Sequence, residues 1–434
     1  MRVSKNVKLD ENFPARKALL QWARQFQEVV WFDSNGYNDR YSNYEAVLAV
    51  DAFTAIQTDA SEAFDKLKEY QETTADWIFG YLSYDLKNDV EDLSSNNYDG
   101  LNFPELFFFQ PKKIIFLKAG EMELHYLPMV DDELEEDLEN ILQKRDFQEE
   151  FSGDVKDVKM QPRISKLEYL QKVEEMLAHI QRGDIYEANF CQEFYAEDAE
   201  IDPFEKFVAL NNISSPPFAT FLRNYDQYLL SASPERYLQK KGNRLISQPI
   251  KGTARRVLSN PEKDSELARN LENDPKERSE NVMIVDLVRN DLSKTAKKGS
   301  VEVAELCKVY SFPQVHQMVS TIKATLEAGI PPVEVLRTTF PMGSMTGAPK
   351  ISAMEIIEEL EETKRGLYSG AVGYFDPSGD FDLNVVIRSI LYNSTSKYIS
   401  FSVGGAITAR SVPENEYEEC LLKAAALRQV LEEN

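Results

Sequence analysis

Strand-like segments in this chain come in neighbouring groups, and its helices gather into blocks between them. Residues Phe218–Leu222, Tyr228–Ala232 and Leu245–Ile250 read as consecutive strands from their β-branched and aromatic content. Helical patterns follow at about 262–272, 277–290, 313–325 and 349–362. Strands return at Gly370–Phe375, Leu383–Leu391 and Tyr398–Val403, and a last helix runs from Pro413 to Leu431. A doubly wound parallel sheet alternates strand and helix, so this grouping predicts an α+β fold built on antiparallel sheets. Nearer the N-terminus, Val29–Phe32, Trp77–Tyr81 and Ile114–Leu117 also read as strands.

The stretch from Asp131 to about residue 160 is rich in acids, and its apolar spacing at Leu134, Leu138, Ile141 and Leu142 predicts an amphipathic helix. From Ser152 to Pro162 the periodicity disappears and the chain reads as a linker. Ser165 with Glu168 forms a capping box, opening a helix that runs to Arg182 and stops at Gly183. The expected division is therefore an N-terminal region, 1–150, that contributes to one common body, and a catalytic region, 163–434.

The net charge of −24 argues against a nucleic-acid or anionic-membrane surface, because both attract basic patches. It leaves room for a small anionic substrate in a locally positive pocket. Cys191, Cys307 and Cys420 lie far apart, which excludes a disulfide framework or a cysteine zinc site. No run approaches the roughly 18 apolar residues of a membrane span. The basic N-terminus lacks the apolar core of a secretory signal, so a cytoplasmic location is expected.

Several side chains are placed for chemistry. Glu277 and Glu280 share one face of a predicted helix, and Glu416 and Glu419 share a face of the last helix, with Lys423 one turn on. Such all-oxygen pairs suit Mg²⁺. Spacing alone is weak support, because a chain with 73 acids in 434 residues contains about a dozen acid-x-x-acid pairs by chance. Lys251 lies in Gln248-Pro249-Ile250-Lys251-Gly252-Thr253, sixteen residues after Glu235 of Ser233-Pro234-Glu235. A lysine there reads either as a strand-end charge snorkelling to solvent or as a nucleophile, if burial and a cationic neighbour favour its neutral form. Glu235 reads as a turn carboxylate or, with a raised pKa, as a general acid. His316, in an apolar stretch predicted helical, is a core residue or a proton-handling group rather than a metal ligand. Arg388, a strand arginine in an apolar run, could pair bidentately with a carboxylate, and Gly404-Gly405 after a strand could offer backbone N–H groups to another. Ser344 lies in Gly343-Ser344-Met345-Thr346-Gly347-Ala348-Pro349-Lys350, which fails the spacing of a phosphate-binding loop and reads as a turn opening a helix at Pro349.

With these motifs in view, the chain from about 163 to 430 resembles the chorismate-utilising enzymes, and among them the aminodeoxychorismate synthases. Before residue 150 the likeness thins to Gly80-Tyr81-Leu82-Ser83-Tyr84-Asp85. The resemblance implies a four-layer body, two large and mainly antiparallel sheets face to face with helices outside. It implies conversion of chorismate and ammonia to 4-amino-4-deoxychorismate, the precursor of 4-aminobenzoate. It also implies Mg²⁺ held directly by Glu280 and Glu419 with Glu277 and Glu416 in support, Lys251 attacking C2, Glu235 protonating the departing C4 hydroxyl, and His316 in the active site. Arg388, Tyr368, Gly404, Gly405, Thr253, Lys423, Asn189 and Ser344 would meet substrate.

Lys251 separates this reading from anthranilate synthase component I, whose relatives usually carry Ala there. Glu187 stands where isochorismate synthases carry a water-activating lysine, and Ala406 replaces a common third glycine. The signature Leu-Leu-Glu-Ser tied to tryptophan feedback is not present; its counterpart is Trp31-Phe32-Asp33-Ser34. No Gly-x-Cys-x-Gly elbow occurs, so ammonia would come from a separate glutamine amidotransferase subunit. A catalytically silent chorismate-binding subunit and a Mg²⁺-dependent hydrolase remain as alternatives, the second leaving Lys251 and Arg388 unexplained.

Overall fold

Every pairing between extended strands is antiparallel among the residues described in this computed structural model, 2–37, 41, 44–143, 158–312 and 315–432. The first sheet runs, strand beside strand, from Val3–Lys8 through Glu121–Tyr126, Leu106–Lys118, Ala46–Thr58, Glu28–Asp33, Phe218–Asn224, Gln227–Ser233, Ser389–Asn393 and Tyr398–Thr408 to Glu187–Ala196. The second runs from Leu106–Lys118 through Ile78–Leu82, Ala371–Phe375, Phe381–Val385, Arg236–Lys241 and Arg244–Gln248 to Val315–Thr325, which also carries Ile250–Arg255 and Glu302–Ser311.

The long strand Leu106–Lys118 belongs to both sheets. Along one edge, residues 106–109 pair with Ile78–Leu82 and residues 113–118 with Glu121–Tyr126. Pro111, which has no N–H to give a ladder, stands where the strand passes between them.

Alternation along the first sheet shows the layering. Val29 and Trp31 enter a core with Trp22, Tyr169, Phe204 and Leu427 of the covering helices, whereas Val30 between them enters a core shared with Tyr81, Leu383 and Val385 of the second sheet. Helices Ala15–Ala23, Lys166–Arg182, Pro203–Ser214 and Pro413–Glu432 line the first core, and Pro275–Ser293 and Pro332–Thr339 the second. The α+β four-layer fold is as expected, with the two sheets continuous through one strand.

Most expected elements are present. The Ser165–Glu168 capping box forms, the helix runs Lys166–Arg182, and Gly183 ends it at φ 88°. The acid-rich helix is Leu134–Gln143, and the expected linker falls largely on residues 144–157, outside the described residues. No helix among the described residues is long and apolar enough to cross a membrane.

Five expectations need correction. The segment 313–325 is not a helix: Val315–Thr325 is a strand with partners on both edges, and its Val, Thr and Ile content suits that place; Pro313 and Gln314 lie outside the described residues. The single strand expected at Leu383–Leu391 is two, Phe381–Val385 in the second sheet and Ser389–Asn393 in the first, so Arg388 sits in the crossover with φ 51° rather than in a strand. Gly404 and Gly405 lie inside Tyr398–Thr408, opposite Cys191 and Phe190, not after a strand. The strand at Leu245–Ile250 is interrupted by Pro249, whose carbonyl accepts from Ser320 N at 3.1 Å. Pro349 is the N-cap residue of Lys350–Leu360, one position before the expected N1.

Candidate active site

Lys251 owes its place to the glycine after it. Gly252 has φ +84°, and a Cβ there would lie 2.9 Å from Glu277 Oε2 and 3.0 Å from Leu271 Cδ1. Only a bare backbone can approach that closely, which presses Ile250–Arg255 against the start of helix Pro275–Ser293. Asp274 caps that helix by accepting from the N–H groups of Lys276 and Glu277, with Pro275 at its first position. The first two turns therefore bring Glu277 and Glu280 within reach of the lysine's charge.

The Lys251 charge acts on Glu187, Glu235, Glu277, Glu280 and Glu419. Among the described residues none of them closes to an ion pair with it. Burial raises the pKa of Glu280 to about 7, opposed by Lys251 and Lys276. Burial also raises Glu187 and Glu277, the latter with help from the Glu419 charge. Burial works on Glu419 too, but Lys423, 2.7 Å away, and the charges of Lys276 and Lys251 hold it below the usual carboxylate range. Lys423 also donates to Gly404 O at 2.7 Å. At Gly405 a Cβ would lie 3.4 Å from Glu416 Oε2 and 3.6 Å from Glu419 Oε1, so the bare strand lets both acids lean over it.

Fit to Mg²⁺ can be judged from these donors. No cluster of three His, Cys, Asp or Glu is assembled for a metal among the described residues. Mg²⁺ does not require one, since it takes one or two carboxylates and keeps several waters. Glu280 Oε1 is buried without a hydrogen-bond partner, which is the state of an oxygen able to accept a cation. The oxygen-only donor set fits.

Glu235 is a further acid within reach of the Lys251 charge. It is almost fully buried, which raises its pKa to about 7, while a hydrogen bond from Ser344 and the Lys251 charge oppose the rise. Ser344 sits in the 3₁₀ turn Gly343–Met345, and its carbonyl accepts from Asn189 Nδ2 at 3.1 Å. Glu235, Ser344 and Asn189 thus form one hydrogen-bonded wall.

Arg388 is half-buried, burial disfavours its charge, and it has no carboxylate partner among the described residues. Tyr368 is buried with its hydroxyl 3.5 Å from Cys191 Sγ, and Thr253 stands opposite Gln317. His316 is not brought into the group around Lys251. It is buried opposite Ala254, with Nδ1 2.8 Å from Ser311 Oγ and Nε2 3.2 Å from Asp264 Oδ1. Asp264 is itself gripped by Arg256 and held at about pKa 2. Both ring nitrogens are engaged.

Sequence reasoning passed over three charged residues here. Lys276 reaches Glu416 Oε1 at 3.3 Å and Glu280 Oε1 at 3.9 Å, and its lysine beside a carboxylate pair was the available signal. Arg365 and Glu361 form a buried i,i+4 pair at 2.7 Å that ties Asn189 O and Met345 O behind the Glu235 wall; nothing local marked that long-range role. Away from these acids, Phe32, Tyr37, Tyr44, Phe218, Arg236 and Tyr310 help to line a cavity of about 370 Å³. Phe32, Asp33 and Ser34, from the counterpart of the feedback signature, border it.

Comparison with known proteins identifies the family of the chain. The family model described as chorismate binding enzyme matches residues 27–429. Aminodeoxychorismate synthase component 1 of Salmonella typhimurium is 42% identical over 272 residues, 63% of this chain and 59% of that protein, so the match spans about three fifths of that relative's length. Anthranilate synthase component 1 of Thermus thermophilus is 34% identical over 360 residues, 82% of this chain and 77% of that protein. The crystal structure of anthranilate synthase component I from Streptococcus pneumoniae superposes with a TM-score of 0.78 at 26% identity, over 90% of this chain and 93% of the other. Matched along nearly its whole length, the chain belongs to the chorismate binding enzyme family.

Proposed function

We propose that this chain converts chorismate and ammonia to 4-amino-4-deoxychorismate. The observation that carries the reading is Lys251, held by Gly252 among Glu187, Glu235 and Glu280 without an ion pair of its own among the described residues. The naming of the Salmonella relative supports the same branch. Residues 163–434 would carry the chemistry, with 1–150 contributing strands to the shared body.

Arg388, half-buried and without a carboxylate partner among the described residues, would bind one substrate carboxylate bidentately, and Lys423 and the Gly404–Gly405 backbone would lie near the other. Mg²⁺ on Glu280 and Glu419 would neutralise and polarise a substrate carboxylate. The Lys251 amine attacks C2, both ring double bonds shift, and the C4 hydroxyl departs as water with the Glu235 proton. Ammonia then adds at C4 and expels Lys251 from C2, and the proton released from nitrogen returns to Glu235. Asn189 and Ser344 hold the Glu235 wall, Tyr368 and Thr253 shape the pocket, and His316 braces its strand through Asp264 and Ser311. A glutamine amidotransferase subunit would deliver the ammonia.

The test is incubation of the purified chain with chorismate, MgCl₂ and ammonium, with products identified by mass spectrometry. A 4-amino product that keeps its enolpyruvyl group is expected. Anthranilate with pyruvate would instead place the chain with the Thermus relative's named activity.

A further inference from the structure

Among the described residues, Lys276 is the one cation at the acidic site that ion-pairs across two helices. Its ammonium lies 3.3 Å from Glu416 Oε1 on the C-terminal helix and 3.9 Å from Glu280 Oε1 one turn along its own helix, and it also acts on Glu419. The partners differ in freedom. The Glu416 and Glu280 side chains are 3% and 9% exposed, whereas that of Lys276 is 40% exposed. The carboxylates are fixed in the wall, and the lysine can swing into water on its flexible stem. Lys423 has no such freedom of role, since it is bonded to both Glu419 Oε1 and Gly404 O. The Glu280 oxygen nearest Lys276 has no hydrogen-bond donor, so only charge holds the two together.

We propose that Lys276 is a tethered counter-cation, which neutralises the Glu280–Glu416 pair and must be displaced by a divalent ion entering between the two helices. The inference rests on the reading of Glu280 and Glu419 as the Mg²⁺ ligands. A divalent ion beside Glu280 would repel the ammonium at a few ångströms, so each cation weakens the other's hold. By linkage, the lysine must lower Mg²⁺ affinity by the same factor as Mg²⁺ lowers the lysine's occupancy of the site. Lys276 would thus set the metal concentration at which the site fills, while keeping two acidic helices from separating below it.

The experiment is calorimetric titration of MgCl₂ into the full chain and into Lys276→Met and Lys276→Arg. Lys276→Met, which keeps the stem and removes the charge, should bind Mg²⁺ about two- to fivefold tighter, the size expected for losing one partly exposed ion pair. Its melting temperature without metal should fall and recover with Mg²⁺. Lys276→Arg should stay within about twofold of the parent. A parent that binds Mg²⁺ and a Lys276→Met that binds no tighter would overturn the inference alone. No binding to either at millimolar Mg²⁺ would overturn the metal reading and the inference with it. Acetic anhydride labelling of the unmutated chain, quantified at Lys276 by peptide mass spectrometry, decides the matter if the variant does not fold. Labelling that rises with Mg²⁺ supports displacement, and labelling that is unchanged or lower refutes it.

Discussion

Two buried charge clusters lie either side of Asn189, and they are built on opposite principles. In one, Arg365 donates to both oxygens of Glu361 and to the carbonyls of Met345 and Asn189, and its guanidinium rests 4.5 Å from the Tyr84 ring. Glu361 takes a further bond from Cys191 N at 2.9 Å. In the other, Lys251 has no ion pair among the described residues, and Glu187 Oε2 and Glu280 Oε1 are buried without a hydrogen bond. Leaving such groups unsatisfied costs stability, so their persistence points to use. The contrast teaches that burial of charge alone does not mark a catalytic site. The satisfied cluster fixes geometry, and the unsatisfied one, on the reading proposed above, would receive substrate.

The sharpest way to break that contrast is to remove the lysine. Lys251→Ala should lower turnover by about 10⁴-fold, as losing a covalent nucleophile does, while Mg²⁺ binding and the melting temperature stay near those of the parent. Intact-mass analysis should lose the chorismate adduct in the variant. A variant that unfolds, or that keeps the adduct, would make Lys251 a structural charge like Arg365.

The converse substitution acts on stability. Arg365→Met strands Glu361 in a dry site, and breaking a buried pair by removing one partner costs about 3–5 kcal/mol. Denaturant melts should show a loss of that order. Residual activity per folded molecule should fall less than in Lys251→Ala. A melt unchanged from the parent would mean that the pair is replaceable packing.

Glu235 joins the two clusters, since it is fully buried yet open to proton exchange. With a pKa raised to about 7, its acid form is present below neutrality, so turnover should fall as pH rises through about 7. Glu235→Gln should reduce kcat by about 10²–10³ and remove that limb from the pH profile. The linkage has the opposite sign from a salt-bridged acid. The folded state binds the proton more tightly than the unfolded chain, so stability is fullest below pH 4.5 and declines toward pH 7. Across that window the loss is about 3 kcal/mol, and Glu235→Gln should escape it, melting higher than the parent at pH 8. A parent pH–stability curve flat between 4.5 and 7 would contradict this.

How far these clusters could be read from sequence follows from the range of the forces involved. The capping box at Ser165 and Glu168 and the Glu277–Glu280 spacing are local, and both were legible. The strand at Val315–Thr325 was not. Its apolar run is compatible with either period, and only pairing on both edges decides the matter. Arg388 was recognisable as a candidate anion binder. Its crossover conformation was hidden, because one apolar run serves two different sheets. Lys276 and Arg365 act on partners 140 and 176 residues away, at Glu416 and Asn189, and no single-sequence pattern encodes those meetings.

The smallest expected effect tests how closely the unsatisfied cluster depends on backbone approach. Gly252→Ala forces φ +84° on a residue with a Cβ and places that carbon 2.9 Å from Glu277 Oε2. The conformational part costs about 1 kcal/mol, and Glu277, partly mobile on its helix surface, can turn aside to relieve the contact. Stability should therefore fall by only about 1–2 kcal/mol. Function should report more, because turning Glu277 away also moves Lys251 off the acids it faces. The variant should lose about tenfold in kcat, a misplacement penalty that leaves the nucleophile itself intact. It should still form the adduct, only slowly, which separates it from Lys251→Ala. Equal kcat in variant and parent would mean that Lys251 does not depend on the tight turn, and that the absence of fixed partners around it reflects freedom rather than placement.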